Sequence, residues 1–220
     1  MSDQYEPSPG RVKRRYDAPR RRAKAAETRR RVLHAATELF LERGYEAVTA
    51  DEVATRAGVS RPTVFVSVGG KPELLKQVRD IALVGDDEPV PMPQRQMFRE
   101  LWDEPVAIRA VHLYARNMRV VHGRAAGIEA VLQHAASSDP GLADLAEEAI
   151  RQRRHGCRAV VDSLRKKSPM RRRLAAAVAA DIVFALASPE TYLHLVDTCG
   201  WTPARYQSWL SELLGRELYG

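Results

Sequence analysis

Between Thr49 and Leu75 the chain reads TADEVATRAGVSRPTVFVSVGGKPELL, and these residues are satisfied best by two short helices about a tight turn. Thr49 and Glu52 have the spacing of a capping box, in which each side chain answers an unpaired amide of the first turn. Val53, Ala54 and Ala57 recur at helical spacing and make one apolar face. Ala57 is small enough for a close helix crossing, and Gly58 comes next, where a left-handed residue costs little. Ser60 caps the next helix, with Pro62 in its first turn, where a missing amide is harmless. Val64 and Val68 turn inward and leave Arg61, Thr63, Phe65 and Ser67 mostly outward. A Gly69-Gly70 corner then leads into a third helix. This is a helix-turn-helix, a unit that sets its second helix into the major groove of DNA. A hairpin buried in a core would have no use for the outward polar face.

The flanks supply a wall and a connector. Glu27 to Tyr45 reads as a helix with Val32, Leu33, Ala36, Leu39 and Phe40 on one face, stopped at Gly44. Lys71 to Val84 carries Leu74, Leu75, Val78, Ile81 and Ala82 at three- and four-residue steps, and this spacing predicts a helix able to leave the small head and dock on the C-terminal part of the chain.

The run from Arg30 to Leu75 resembles the DNA-binding domain of TetR-family transcriptional regulators. The resemblance rests on Ala35-Ala36 with Leu39-Phe40, the Gly44-Tyr45 break, Thr49, Val53-Ala54, Ala57-Gly58-Val59-Ser60, Thr63-Val64-Phe65, and Lys71 followed by Leu74-Leu75. It implies DNA contacts from Thr49, Ser60, Arg61, Pro62, Thr63, Phe65, Ser67 and Lys71. The reading face departs from the family pattern. Phe65 stands where Tyr is common, and Ser67 and Val68 stand where Tyr or His and then Phe are common. Phe65 keeps an aromatic face but has no hydroxyl to give a phosphate, and Ser67 is short.

Charge is concentrated just upstream. Eleven Lys or Arg residues lie between Arg11 and Arg31 against Asp17 and Glu27, in a chain whose total net charge is +7, so the remainder is slightly acidic. Residues 1–22, with Pro7, Pro9, Gly10 and Pro19, read as a disordered basic arm. Beside a reading head, Arg20, Arg21, Arg22 and their neighbours can lie along phosphates or enter a minor groove, and would add affinity and salt dependence more than sequence choice. A solubilising tail is the other reading of such an arm.

After Val84 the segment GDDEPVPMP (85–93) is a connector, and beyond it come helical segments separated by clear stops. The expected helices are Gln94–Trp102, Pro105–His122, Arg124–Ala136, Asp139–Lys167, one over 172–187, a short one after Ser188-Pro189, and one over 203–218. No alternating strand pattern or Asn-Gly hairpin occurs. The expected fold is all-α: a helix-turn-helix domain over 23–70, a connecting helix over 71–84, and a helical ligand-binding and dimerisation domain over 94–220. No apolar run near 18 residues is expected to span a membrane, and no apolar segment succeeds the basic N-terminus as in a secretory signal. Cys157 and Cys199 are isolated thiols without metal spacing, which suits a reducing cytoplasm.

The C-terminal third again resembles the TetR family, in which two late helices pair with their mates across a four-helix interface. The resemblance implies dimerisation through Leu174, Val178, Ile182, Tyr206, Trp209 and Leu213. It also implies a ligand site among Trp102, Tyr114, Asn117, Met118, His122 and His134, with His112 and Arg116 as further candidates; each is equally readable as an ordinary core or surface side chain. His112 and His122 fall about 80° apart around one helix axis and do not converge on a metal ion. The run Arg151, Arg153, Arg154 reads as solvated rather than anion-binding. Gly69-Gly70-Lys71 lacks the earlier glycine and the preceding strand of a phosphate loop, and no other catalytic constellation occurs, so an enzyme is not expected.

The expectation is therefore a cytoplasmic, dimeric, sequence-specific transcriptional repressor released from a double-stranded operator by a small-molecule effector, without cofactor, metal or membrane partner. The competing expectation is a DNA-architectural protein that binds mainly through its arm.

Overall fold

A computed structural model describes residues 18–220 of the chain, with side chains from Arg20 onward. Ten α-helices lie among them: α1 (Ala18–Arg43), α2 (Ala50–Ala57), α3 (Arg61–Val68), α4 (Lys71–Val84), α5 (Gln96–Asp103), α6 (Ala107–Ala135), α7 (Pro140–Lys167), α8 (Ala176–Leu186), α9 (Pro189–Leu193) and α10 (Pro203–Tyr219). A single 3-10 turn (Met92–Gln94) precedes α5, and a π turn (His194–Thr198) extends α9. No strand occurs among the described residues, and the fold is all-α.

Boundaries track the capping chemistry wherever a cap is strong. The Thr49–Glu52 capping box opens α2, Ser60 accepts the Thr63 amide at the start of α3, Asp139 accepts the Gly141 amide before α7, and Thr202 accepts the Arg205 amide before α10. Among boundaries without such a cap, α4 holds to Lys71–Val84 as expected, but others differ. Helix α1 begins at Ala18 rather than Glu27, so residues 18–22 of the expected arm are helical, whereas Arg11, Lys13, Arg14 and Arg15 lie outside the described residues. The expected break near Gly123 is absent, and α6 runs unbroken for 29 residues, about 43 Å at 1.5 Å per residue. Glycine weakens a helix by only about 1 kcal/mol, and of the two glycines of α6 only Gly127 lies at a close approach. A Cβ on Gly123 would meet the Tyr192 hydroxyl at 3.4 Å, and one on Gly127 would meet Leu41 at 2.7 Å.

That long helix ties two cores together. The first gathers Val32, Ala36 and Phe40 of α1, Val53 of α2, Val64 of α3 and Leu75 of α4, and it continues without a gap into Ile128 and Leu132 of α6 and Leu142 of α7. The second contains Phe98, Tyr114, Val121, Val160, Leu164, Val183, Tyr206, Leu210 and Leu214. The head is therefore seated on the body through shared apolar burial, the main favourable term in folding, and is not merely tethered to it.

The stretch Ala176–Thr198 is long and apolar enough to cross a membrane by composition, contrary to the expectation that no such run exists. It is interrupted at Ala187-Ser188, where Ser188 caps α9, and Ala179, Ala180, Val183 and Tyr192 from it are buried in the second core.

Candidate functional site

On the head, the geometry of α2 and α3 is set by the turn between them. Gly58 adopts φ +64°, and its amide bonds back to α2 while the Val59 amide bonds to the Ala54 carbonyl. Arg31 of α1 donates to the Ala57 and Gly58 carbonyls, which would otherwise be left over at the end of α2. Val64 and Val68 are buried, and Arg61, Pro62, Phe65 and Val66 are exposed, with Val66 at 89%. The exposed face is thus an arginine, a proline, an aromatic ring and an aliphatic side chain. Arg61 lies over Phe65, 5.7 Å from the ring centroid, and pairs with Asp51 at 3.3 Å.

The hydroxyls of this region turn inward. Thr63 Oγ1 is 2.7 Å from Ser60 Oγ, and Ser67 Oγ donates to the Thr63 carbonyl at 2.7 Å, so Ser67 does not project as a reading side chain. Thr49 Oγ1 donates to Glu52, whose carboxyl is held down at about 2 by its hydrogen bond from Arg43 and then by those from Thr49. Lys71 donates to the Glu46 carbonyl and lies 4.2 Å from the Tyr45 ring centroid, and burial lowers the pKa of its ammonium. Arg20, Arg21 and Arg22 are exposed on the first turns of α1. A helix N-terminus carries positive partial charge, so cations there are unfavourable unless an anion answers them.

In the body, α4, the 85–93 connector and α5 to α8 surround a cavity of about 1320 Å³. Of the expected ligand residues, Trp102, Tyr114, Met118 and His122 line it. Asn117 and His134 do not. Asn117 is fully buried but donates to the Met97 carbonyl at 2.7 Å, locking α6 onto the start of α5, and His134 is exposed near the end of α6. His112 is exposed as well, and Arg116 pairs with Glu100 at 2.6 Å. The sequence pattern missed the connector, from which Asp86, Asp87, Pro89, Val90 and Met92 form one wall, and it missed Phe98, Cys157, Val160 and Phe184. It also misjudged the run Arg151, Arg153, Arg154: all three line the cavity, and Arg153 is the half-buried one.

Burial sets the polar character of the cavity. His122 Nδ1 lies 3.3 Å from the Tyr206 hydroxyl, and burial, with a smaller push from Arg153, brings its pKa down to about 3, so it is neutral near pH 7. Burial likewise raises the Tyr114 hydroxyl and the Cys157 thiol. Glu129 Oε1 lies 2.8 Å from Arg79 Nε of α4, although that N–H is not aimed along the contact, so the two form an ion pair and not an aligned hydrogen bond. Burial of the Glu129 carboxyl outweighs this neighbour and raises its pKa.

Residues 32–78 match the family model described as bacterial regulatory proteins, tetR family. This segment is a TetR-family DNA-binding domain. The HTH-type transcriptional regulator SrpR of Pseudomonas putida is 43% identical over 56 residues, which is 26% of this chain and 26% of SrpR. The chain therefore matches about a quarter of that relative's length. Two solved structures extend the likeness to the fold of the body. NalD, the secondary repressor of the MexAB-OprM multidrug efflux pump in Pseudomonas aeruginosa, superposes with a TM-score of 0.67 at 21% identity, covering 90% of this chain and 98% of NalD. SmeT, solved in complex with triclosan, gives 0.66 at 17% identity, covering 88% and 92%. The matched family is one of transcriptional regulators rather than enzymes.

Outside the TetR-family domain, the six residues expected at a dimer interface divide. Val178 is exposed at 51%, and Leu174, Ile182, Trp209 and Leu213 are half-buried on α8, α10 and the loop before α8. Tyr206 is corrected: it is fully buried within the subunit, its ring 4.9 Å from that of Tyr192, and no partner chain can reach it. It faces inward because α10 packs most heavily on α6, which places its Tyr206–Leu210–Leu214 stripe there.

Proposed function

We propose that the protein is a sequence-specific transcriptional regulator, a cytoplasmic homodimeric repressor that leaves its operator when a small molecule enters the body cavity. The observation that carries this reading is a helix-turn-helix head seated through α4 on a body that encloses a cavity of about 1320 Å³. The architectural alternative is less favoured, since a protein binding through its arm alone has no need of such a cavity.

Two heads must sit about 34–36 Å apart to enter successive major grooves, and a symmetric dimer supplies that pair. Helix α8 presents Ala177, Val178 and Ala185 outward, small apolar side chains suited to close helix pairing. Several interactions couple the cavity wall to the head. Arg79 of α4 pairs with Glu129 of α6, and Arg124 of α6 donates to the Leu83 carbonyl at the end of α4. Arg29 of α1 holds both Gln77 of α4 and Asp87 of the connector. On the far side, Tyr45 donates to Asp139, and Ser138 to Glu46. An occupant pressing on the connector or α4 strains the first set and leaves the second as a pivot. To change operator occupancy a hundredfold, the ligand needs about 2.7 kcal/mol of differential affinity between the two arrangements.

Selection of bound sequences from a random duplex pool tests the reading. A two-fold related site with half-sites about one helical turn apart supports it. Recovery of no preferred sequence, with equal affinity for any duplex, overturns it. On the selected site, Arg61→Ala and Thr63→Ala are expected to weaken operator binding more than nonspecific binding.

A further inference from the structure

The body cavity carries a cation that no carboxylate of the described residues contacts directly. Three arginines cluster on one stretch of α7, and two have carboxylate partners: Arg151 with Glu147 and Glu148, and Arg154 with Asp181. All three line the cavity, and Arg153, the half-buried one, has no carboxylate within ion-pair distance among the described residues. Its Nη1 donates to the Phe184 carbonyl at 2.6 Å, and its guanidinium lies 3.4 Å from the Phe184 ring centroid. A guanidinium has five N–H donors in a planar fork, and stacking on a ring leaves the fork edge available in the plane. The buried polar groups of the cavity neither compete for an anion nor supply one, and of its exposed carboxylates Asp86, Asp87 and Glu148 are paired with Arg95, Arg29 and Arg151. Glu129 is held by Arg79, His122 is neutral beside Tyr206, and Tyr114 and Cys157 keep their protons.

The lining carboxylates other than Glu129 are all exposed, whereas the buried part of the wall near Arg153 is apolar, from Phe98, Met118, Val121 and Val160, with Trp102 half-buried beside them. At about 1320 Å³ the space exceeds the ~300–1,000 Å³ usual for drug-sized ligands, so it suits a long or bulky hydrophobic body rather than a small acid. A half-buried cation with unfilled donors in an apolar chamber is costly alone and favourable with an anion placed in its fork.

We propose that the effector is an amphipathic carboxylate, an alkyl or polycyclic acid whose carboxylate pairs with Arg153 while its apolar body packs between α5, α6 and α7. This rests on the cavity being the effector site proposed above. A lipophilic cation would find the buried carboxylate of the wall, Glu129, already engaged, with only exposed carboxylates such as Glu88 and Glu190 left to it.

The test uses the full chain and three probes of equal length below their micellar range: decanoate, decanol and decyltrimethylammonium. Binding is read by tryptophan fluorescence, to which Trp102 of the cavity wall contributes, and by thermal melting at pH 7.5. Decanoate is expected to bind at least tenfold more tightly than either of the others. Arg153→Met is expected to bring decanoate down to the affinity of decanol while leaving decanol within twofold, which also shows that the cavity still folds. Arg153→Lys, which keeps the charge, is expected to retain most of the preference. Equal binding of acid and alcohol, tighter binding of the cation, no binding of any probe, or an undiminished acid preference in Arg153→Met each overturns the proposal. Operator release is measured separately. Arg153-dependent binding of decanoate with unchanged operator affinity would uphold the ligand class and sink the regulatory reading. Release of the protein from its operator by other compounds, with no acid preference, would do the reverse.

Discussion

Val66 shows how a side chain can be conspicuous in space and silent in sequence. Within RPTVFVSV it is one of three valines; helical spacing already sets Val64 and Val68 inward, but the 89% exposure of Val66 appears only in the fold. On a groove-reading helix, an exposed aliphatic group suits a thymine methyl. Val66→Ala is expected to weaken operator binding by about 1 kcal/mol, roughly fivefold, with little change on nonspecific duplex; equal losses on both would remove it from the reading face. His122 gives a prediction of another kind. Its pKa is lowered to about 3 in the fold, against about 6.5 when unfolded, so the unfolded chain binds more protons between those values. Stability contributed by the neutral form is present above the unfolded value and is lost as pH falls. Between pH 7 and pH 5 the loss is expected to be about 2 kcal/mol. Urea denaturation at both pH values checks this, with His122→Phe expected to flatten the dependence even if it lowers stability overall.

At the scale of the element, the turn between α2 and α3 is the point where one substitution does most harm. Gly58 sits at φ +64°, and a Cβ there would come within 2.8 Å of the Arg31 guanidinium that holds the end of α2. Gly58→Val combines left-handed strain, about 1–2 kcal/mol, with displacement of that guanidinium. It is expected to lower the melting temperature and to reduce operator binding beyond what stability alone explains. Gly85 is held in the same way: it ends α4 at φ +96° with the Arg124 guanidinium against it. By contrast, Thr49→Ala removes one capping box, worth about 1 kcal/mol, and leaves the turn geometry intact. A melting shift in Thr49→Ala as large as that in Gly58→Val would overturn this ranking.

For the whole molecule, the informative feature is that head and body share buried surface through α6 and are tied across the cavity by Arg79 and Glu129. Removing one member of a buried pair strands the other, at about 3–5 kcal/mol. Arg79→Met alone and Glu129→Leu alone are therefore expected to lower stability markedly. The double variant is expected to regain much of that stability while responding less to ligand, as judged by operator release. Full ligand response in the double variant would show that coupling runs elsewhere, for instance through Arg29 and Asp87. Removal of residues 1–17 keeps α1 whole and is expected to reduce the slope of log affinity against log salt by about 1 for each phosphate the segment neutralises, with operator preference retained. An unchanged slope would make the segment a solubilising tail.

The chain by itself determined the elements whose ends are chemically marked. Thr49, Ser60, Asp139-Pro140 and Thr202-Pro203 cap helices where expected, because a capping side chain bonds amides a few residues away and needs nothing distant. The inward valines of α3 were legible for the same reason, since helical spacing alone sorts inside from outside. Features that depend on residues distant in sequence were decided only by the tertiary structure. Gly123 looked like a stop until the packing of α6 along its whole length carried the helix through it, and Tyr206 looked like an interface residue until α10 turned it onto α6. The cavity was half legible. Trp102, Tyr114, Met118 and His122 share α5 and α6, but Phe184, Cys157 and the connector reach it from elsewhere in the chain. Arg153 was the least readable of all. In sequence it is one arginine in a cluster of three; Arg151 finds Glu147 and Glu148 on its own helix, but only the packing of α7 on α8 brings Asp181 to Arg154 and stacks Arg153 on Phe184 with no carboxylate.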